Sequence, residues 1–179
     1  AHLPRVSCTF GLLRPRIEVS TKLLGALDDD ALTAALLHEA AHVRAFDPLR
    51  YFILSVCQSL NPLARMLGTE WQGWRLAREA ACDEEAVRHG GEPLSLAEAI
   101  LTAARYTSGP MPCTAASLGD GGVGSIQLRV GLLLGYAEGG QVRIRTEVPL
   151  LGLATVLAVV AALPHVLGSG PLDSIHLGI

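Results

Sequence analysis

At 179 residues the chain is long enough for one domain with its own core and too short for two full ones, so a single catalytic or binding unit is expected. Half of the residues are hydrophobic and only 17% are charged, a balance that a water-soluble domain of this size rarely shows, so part of the chain is expected to sit in lipid. A net charge of -3, with no basic stripe gathered on any one element, argues against a nucleic-acid partner.

The chain opens at Ala1 with neither a methionine nor a signal-peptide pattern, as a piece cut from a longer precursor would. Arg5 to Ser20, RVSCTFGLLRPRIEVS, has two short β-type runs about a Gly11 and Pro15 turn region and reads as a small hairpin. In DDDALTAALLHEAAHVRAF three aspartates that suit a helix N-terminus precede a run of Ala and Leu, so a helix is predicted from about Asp30 to Phe46, ended by Asp47-Pro48. LRYFILSVCQSL, up to the Asn61-Pro62 break, is apolar but too short to span a bilayer; it is either core or a helix lying at the membrane surface. Helical pattern resumes from Pro62 to about His89, interrupted near Gly68 and stopped by Gly90-Gly91, and again from Leu94 to Tyr106.

Residues 107–124 are rich in Gly, Ser and Pro and are expected to form a mobile loop, after which SIQLRVGLLLG makes a short amphipathic helix. Val148 to Leu167 carries no charge and at ~1.5 Å per residue is about 30 Å long, which predicts a transmembrane helix. Arg129, Arg143 and Arg145 precede that run, whereas the tail after it has no Lys or Arg, so the part before the helix is expected to face the cytoplasm. Cys8, Cys57, Cys82 and Cys113 form no CxxC pair, which fits reduced thiols in a cytosolic compartment better than a disulfide framework.

The chemistry lies in LLHEAAHVRAFDPL. Residues four apart share one helix face, so His38 and His42 can aim their imidazoles at one Zn²⁺. Glu39 sits about 100° round the helix, where a general base for a water at that metal is wanted. The apolar residues about these three make a simply solvated polar face a poor account of them. Two histidines leave a catalytic zinc one protein ligand short, and REAACDEEA can supply it: Glu79 would complete a His₂Glu set, with Asp83 one turn on to accept a hydrogen bond from a ligand histidine. Cys82 is the rival ligand, disfavoured as a lone cysteine flanked mainly by alanine and acidic residues. No spacing argument selects an oxyanion stabiliser among Tyr51, Tyr106, Tyr136 and His89.

These residues resemble the BlaR/MecR-type integral-membrane zinc metallopeptidases, the antirepressor family of beta-lactam sensor-transducers and their shorter relatives. The likeness is carried by FGLLRPRIEV, LLHEAAHVRAFDPLR, NPLARML, REAACDEEAV and the closing apolar run. It implies zinc held by His38, His42 and Glu79, Glu39 as catalytic base, and Asp83 supporting the first histidine. It also implies a gluzincin-like peptidase fold, α+β but mostly α, facing the cytoplasm between transmembrane helices of a multi-pass membrane protein. The hairpin near Val6 to Val19 would then present an edge strand along which a substrate peptide lies extended. The antibiotic sensors carry a penicillin-binding domain with an SxxK serine, and these 179 residues contain no SxxK, so beta-lactam sensing is not carried over.

The organisation expected is therefore a zinc metallopeptidase domain at 1–146, a transmembrane helix at 147–168 and a short extracytoplasmic tail at 169–179. The favoured function is a membrane-bound zinc endopeptidase acting on a cytosolic or membrane-proximal protein, a transcriptional repressor or the chain itself; the alternative is a non-catalytic transducer whose zinc only staples two helices. The partners expected are a protein or peptide substrate and the lipid bilayer, with a homo-oligomer left open.

Overall fold

A computed structural model describes residues 7–60, 68–106, 115–116 and 122–140. The expected transmembrane run and tail, and most of the expected mobile loop, lie outside these residues. Among the described residues no helix is long and apolar enough to cross a membrane. The protein is mostly helical, with a small antiparallel sheet.

β1 (Ser7–Phe10) and β2 (Arg16–Val19) form the expected hairpin, with Ser7 opposite Val19 and Phe10 opposite Arg16. The turn between them needs Gly11, whose φ of +98° is readily open only to glycine, and a Cβ there would meet the Arg14 carbonyl oxygen at 2.8 Å. On its other side β1 pairs with β3 (Ala115–Ala116), giving the order β2-β1-β3. Two residues of the expected loop are thus a strand, and β1 is the centre of the sheet rather than its edge, because its free backbone groups are taken up by the chain's own β3.

α1 (Thr21–Leu24) is one turn capped by Ser20, whose hydroxyl accepts from the Leu23 N–H. α2 (Asp29–Arg44) starts one residue before the predicted limit because Asp28 is its N-cap, accepting from the Ala31 N–H at 2.8 Å, with Asp29 and Asp30 in the first turn. It also stops two residues early. The chain breaks at Phe46, a non-glycine residue at φ 53°, and Asp47-Pro48 then opens α3 (Asp47–Leu60) instead of merely ending α2. A proline lacking an N–H fits a helix's first turn, where no intrahelical acceptor would be lost.

α4 (Gly68–Arg88) ends in a Schellman motif: Gly90 has φ +97°, and the N–H groups of Gly90 and Gly91 donate to the Val87 and Ala86 carbonyls. α5 (Pro93–Tyr106) follows closely, and α6 (Val123–Ala137) is longer than the sequence pattern suggested.

α2 packs on both α4 and α5, and α6 covers α5. Their shared core is rich in alanine: Ala31, Ala34, Ala35, Ala86, Ala99 and Ala103 are buried around Leu96, Ile100 and Leu133. Small side chains let helix axes approach closely, and the same close approach presses the polar face of α2 against α4. A second cluster joins α3 to α4, where Tyr51 meets Trp74 edge-on at 5.5 Å and Trp71 stacks on Trp74.

Candidate metal centre

α2 buries His38, Glu39 and His42 completely, each with none of its surface exposed. The one-turn spacing stacks the two imidazoles edge to face at 4.8 Å, bringing their Nε2 atoms within 3.1 Å of one another. From α4, Glu79 reaches the same point: its Oε1 lies 3.5 Å from His42 Nε2 and its Oε2 3.5 Å from His38 Nε2. His38, His42 and Glu79 thus offer three ligand atoms within 4.8 Å of one another, a group that could hold a metal ion. A tetrahedral ion bound at ~2.0–2.1 Å spaces its ligand atoms by about 3.3 Å, close to the separation of the two Nε2 atoms and to the distance from each Nε2 to one Glu79 oxygen.

Each histidine presents its other nitrogen to a carboxylate. His38 Nδ1 is 2.8 Å from Asp83 Oδ1, the contact expected from the i, i+4 spacing of Glu79 and Asp83. His42 Nδ1 is 2.7 Å from Asp47 Oδ2. An imidazole whose Nδ1–H donates to a carboxylate turns the Nε2 lone pair outward, toward the convergence point.

Both carboxylates are paired with arginine. Arg129 of α6, wholly buried, donates from Nε and Nη2 to the two Asp83 oxygens at 2.7 and 2.8 Å, and its Nη1 lies 3.2 Å from Glu79 Oε2. Arg78 donates from Nε to Asp47 Oδ2 at 2.7 Å. Arg129, one of the arginines that precede the apolar run in sequence, belongs to this buried network.

Burial alone would push the Glu79 carboxyl up, but His42, His38 and Arg129 overcome it and hold it well below the usual range. Asp83 is likewise lowered, with Arg129 and His38 outweighing burial. Burial works against charge on the two imidazoles, yet hydrogen bonds to Asp83 and Glu79 raise His38 overall. His42 is raised well above its ordinary value against the same penalty. The neighbouring Cys82 thiol is itself pushed up by burial and stays neutral, so the pull on His42 comes from Glu79 and Asp47.

The buried ionisable groups of this centre are four carboxylates (Glu39, Asp47, Glu79, Asp83) and two guanidinium groups (Arg78, Arg129), leaving two negative charges when the imidazoles are neutral. The donor spacing and the carboxylate-backed histidines are what a resident metal requires.

Glu39 points to β1. Thr9 Oγ1 donates to Glu39 Oε2 at 2.7 Å and lies 3.2 Å from the Glu39 carbonyl oxygen, tying the sheet to α2 at the candidate base. Cys82 Sγ lies 3.4 Å from His42 Nδ1 and 3.8 Å from Asp47 Oδ2, on the opposite ring edge from Nε2, so it stands outside the His38, His42, Glu79 group. His42, Asp47 and Cys82 also lie close enough to hold an ion, but Asp47 Oδ2 already accepts from Arg78. Of the four oxyanion candidates Tyr51 reaches the ligand group, its hydroxyl donating to Glu79 Oε1 at 3.4 Å; burial, reinforced by Glu79, pushes its phenol well up, so it remains protonated. His89 is exposed at the end of α4, Tyr106 is exposed at the end of α5, and Tyr136 lies against the alanine-rich core. A cleft of about 830 Å³ opens between α4 and the start of α6, lined by Trp71, Gln72, Arg75, Leu76 and Ser125, with Glu79 in its wall.

The family model described as BlaR1 peptidase M56 matches residues 5–133, nearly three quarters of the chain and every residue of this centre. The chain belongs to the BlaR1 peptidase M56 family. This is a membrane-associated family of metallopeptidases, in keeping with the His/Glu group that could hold a metal. No curated protein and no solved structure matches the chain.

Thr9, Asp47, Arg78 and Arg129 are the residues of the M56 centre that sequence reasoning did not assign to it. A usable signal existed for two. Arg129 is the lone charge in an apolar helix, SIQLRVGLLLG, and a charge in such a stretch needs a buried partner. Asp47 follows His42 by five residues at a helix break, within reach of the ring. Thr9 and Arg78 carried no local signal.

Proposed function

We propose that this chain is a zinc endopeptidase, gluzincin-like in its ligand set, with His38, His42 and Glu79 as metal ligands and Glu39 as general base. It would work at the cell membrane on the cytoplasmic side. Its substrate would be a peptide bond of a cytosolic or membrane-proximal regulatory protein, such as a transcriptional repressor, or of the chain itself. The observation that carries the reading is the convergence of three donor atoms beside a buried glutamate that has no ligand role of its own.

Zinc held there supplies a Lewis acid for the scissile carbonyl and lowers the pKa of a nearby water to about 7. Glu39 takes the proton from that water. Thr9 holds the Glu39 carboxylate in place through Oε2, and that carboxylate accepts the proton and later delivers it to the leaving amine. Asp83 and Asp47 keep both imidazoles in the tautomer that exposes Nε2. Tyr51 and Arg129 hold Glu79 from two sides, so the ligand carboxylate stays ionised and does not compete for the proton. A purely structural zinc staple would have no use for Glu39, and its buried hydroxyl-bound carboxylate would be a net cost.

The test is Glu39→Gln in the full-length protein in its membrane. It should retain one zinc per chain while cleavage, including self-cleavage, falls by about 10²–10⁴-fold, the range for loss of a positioned base. A proteome-wide comparison of cleavage products between the two proteins then identifies the substrate. Unchanged cleavage in the variant refutes the mechanism.

A further inference from the structure

We propose that Asp47, clamped by Arg78, is the positioning residue for His42, so that the two metal-facing histidines are aimed by a matched pair of carboxylate–arginine clamps. The inference rests on the zinc reading of the centre and adds a residue to it.

The match is geometric. On one side His38 Nδ1 meets Asp83 at 2.8 Å and Arg129 holds Asp83 at 2.7 and 2.8 Å. On the other, His42 Nδ1 meets Asp47 at 2.7 Å and Arg78 holds the same Asp47 oxygen at 2.7 Å. Asp47 has none of its surface exposed and Arg78 only 7%. An acidic residue in a helix's first turn is ordinarily there to satisfy the helix N-terminus from the surface, and Ser or Asn would serve as well. A wholly buried one whose closest contacts are an imidazole and a guanidinium has another task.

The backbone explains how Asp47 gets there. α2 breaks at Phe46 in a left-handed conformation, and the chain turns within two residues, which returns Asp47 beneath His42. A bulky residue in that conformation is strained, and the placement of Asp47 is what the turn achieves. Cys82 packs against the same ring edge and keeps it dry, which strengthens the His42 to Asp47 hydrogen bond. α4 thereby serves both histidines with neighbouring residues: Arg78 reaches behind His42 through Asp47, and Glu79 reaches the front of both rings.

Zinc affinity is measured on the purified full chain in detergent by competition with a chromogenic chelator, and coordination geometry by the visible spectrum of the cobalt-loaded protein. Asp47→Ala should bind zinc about 10–100-fold more weakly, as loss of a ligand-orienting carboxylate does, with a shifted cobalt spectrum. Asp47→Asn, which keeps the size and an acceptor oxygen but releases Arg78, should show a smaller weakening in the same direction and covers the case in which the alanine variant does not fold. Arg50→Ala removes an exposed arginine 3.5 Å from the other Asp47 oxygen and should leave both readouts unchanged. Wild-type affinity within twofold and an unaltered cobalt spectrum in the folded Asp47 variants overturn the proposal, since a merely structural aspartate would lower melting temperature without moving either. A wild-type chain that binds no zinc overturns the zinc reading itself, which separates the two failures.

Discussion

Replacing Arg129 with methionine keeps most of the side-chain volume of a wholly buried residue and removes its charge. Its contacts to Asp83 at 2.7 and 2.8 Å and to Glu79 at 3.2 Å go with it, leaving two carboxylates in a dry site with one cation fewer. Removing one partner of a buried ion pair costs about 3–5 kcal/mol, because the remaining charge is left uncompensated. Against the ~5–15 kcal/mol that holds a typical domain together, this is about a fifth of the total or more. At roughly 2–4 °C per kcal/mol for a chain of this size, the melting temperature of the metal-free protein should fall by about 10 °C. Zinc alters the sum, since a dication beside Glu79 takes over part of what Arg129 supplies. The assay is unfolding of Arg129→Met and wild type, followed by circular dichroism, once with a chelator and once with saturating zinc. The large loss should appear with the chelator and shrink in zinc. A loss under about 1 kcal/mol without metal, the size of a surface pair, would refute the reasoning, as would equal losses in both conditions.

Thr9→Val deletes the hydroxyl that holds Glu39 while keeping the side-chain shape; it should leave zinc stoichiometry intact and lower kcat with little change in KM, whereas Thr9→Ser should restore most of the rate, and a Thr9→Val enzyme with wild-type kcat would speak against the role. Zinc binding should tighten as pH rises. His38 and His42 both sit above 6.5 in the metal-free protein, so two protons must leave before the ion can bind, and below the raised values the affinity should improve by up to about 100-fold per pH unit, measured by competition at several pH values. The same protons stabilise the metal-free fold: that contribution is complete below 6.5 and is lost as pH rises through the raised values. Asp83 and Glu79, both lowered, stabilise it above their ordinary 3.8 and 4.5 and cease to do so as pH falls through their depressed values.

What the sequence made legible was whatever repeats at helical spacing. His38 with His42, and Glu79 with Asp83, are each four apart, so their shared faces follow from the chain alone; which face of α4 meets which face of α2 does not, nor does the place of Cys82 at the Nδ1 edge of the His42 ring. Local signals also located the hairpin, the aspartates at the head of α2 and the Gly90 stop within a residue or two. Long-range contacts were illegible. Thr9 acts across 30 residues and Arg129 across 46, and nothing near either marks its partner. Asp47-Pro48 was read as a terminator when it is also a start, because proline forbids the interior of a helix and suits its first turn equally. β3 was hidden for a similar reason: two alanines in a Gly- and Ser-rich stretch have no strand signature, and only the open side of β1 recruits them.

The residues that α4 contributes, Arg78, Glu79, Cys82 and Asp83, form one phase pattern, two adjacent pairs a single turn apart, set against the one-turn step of His38 and His42. Adding or deleting one residue within α4 just ahead of Arg78 would rotate that whole set by about 100° relative to the upstream half of the helix, where Trp71 and Trp74 are packed against α3. The tryptophan anchor and the metal centre could not then both be seated. The length of the helix is therefore less constrained than its angular phase, and of two proteins of this kind the one with a shifted α4 should lose its metal before it loses its fold.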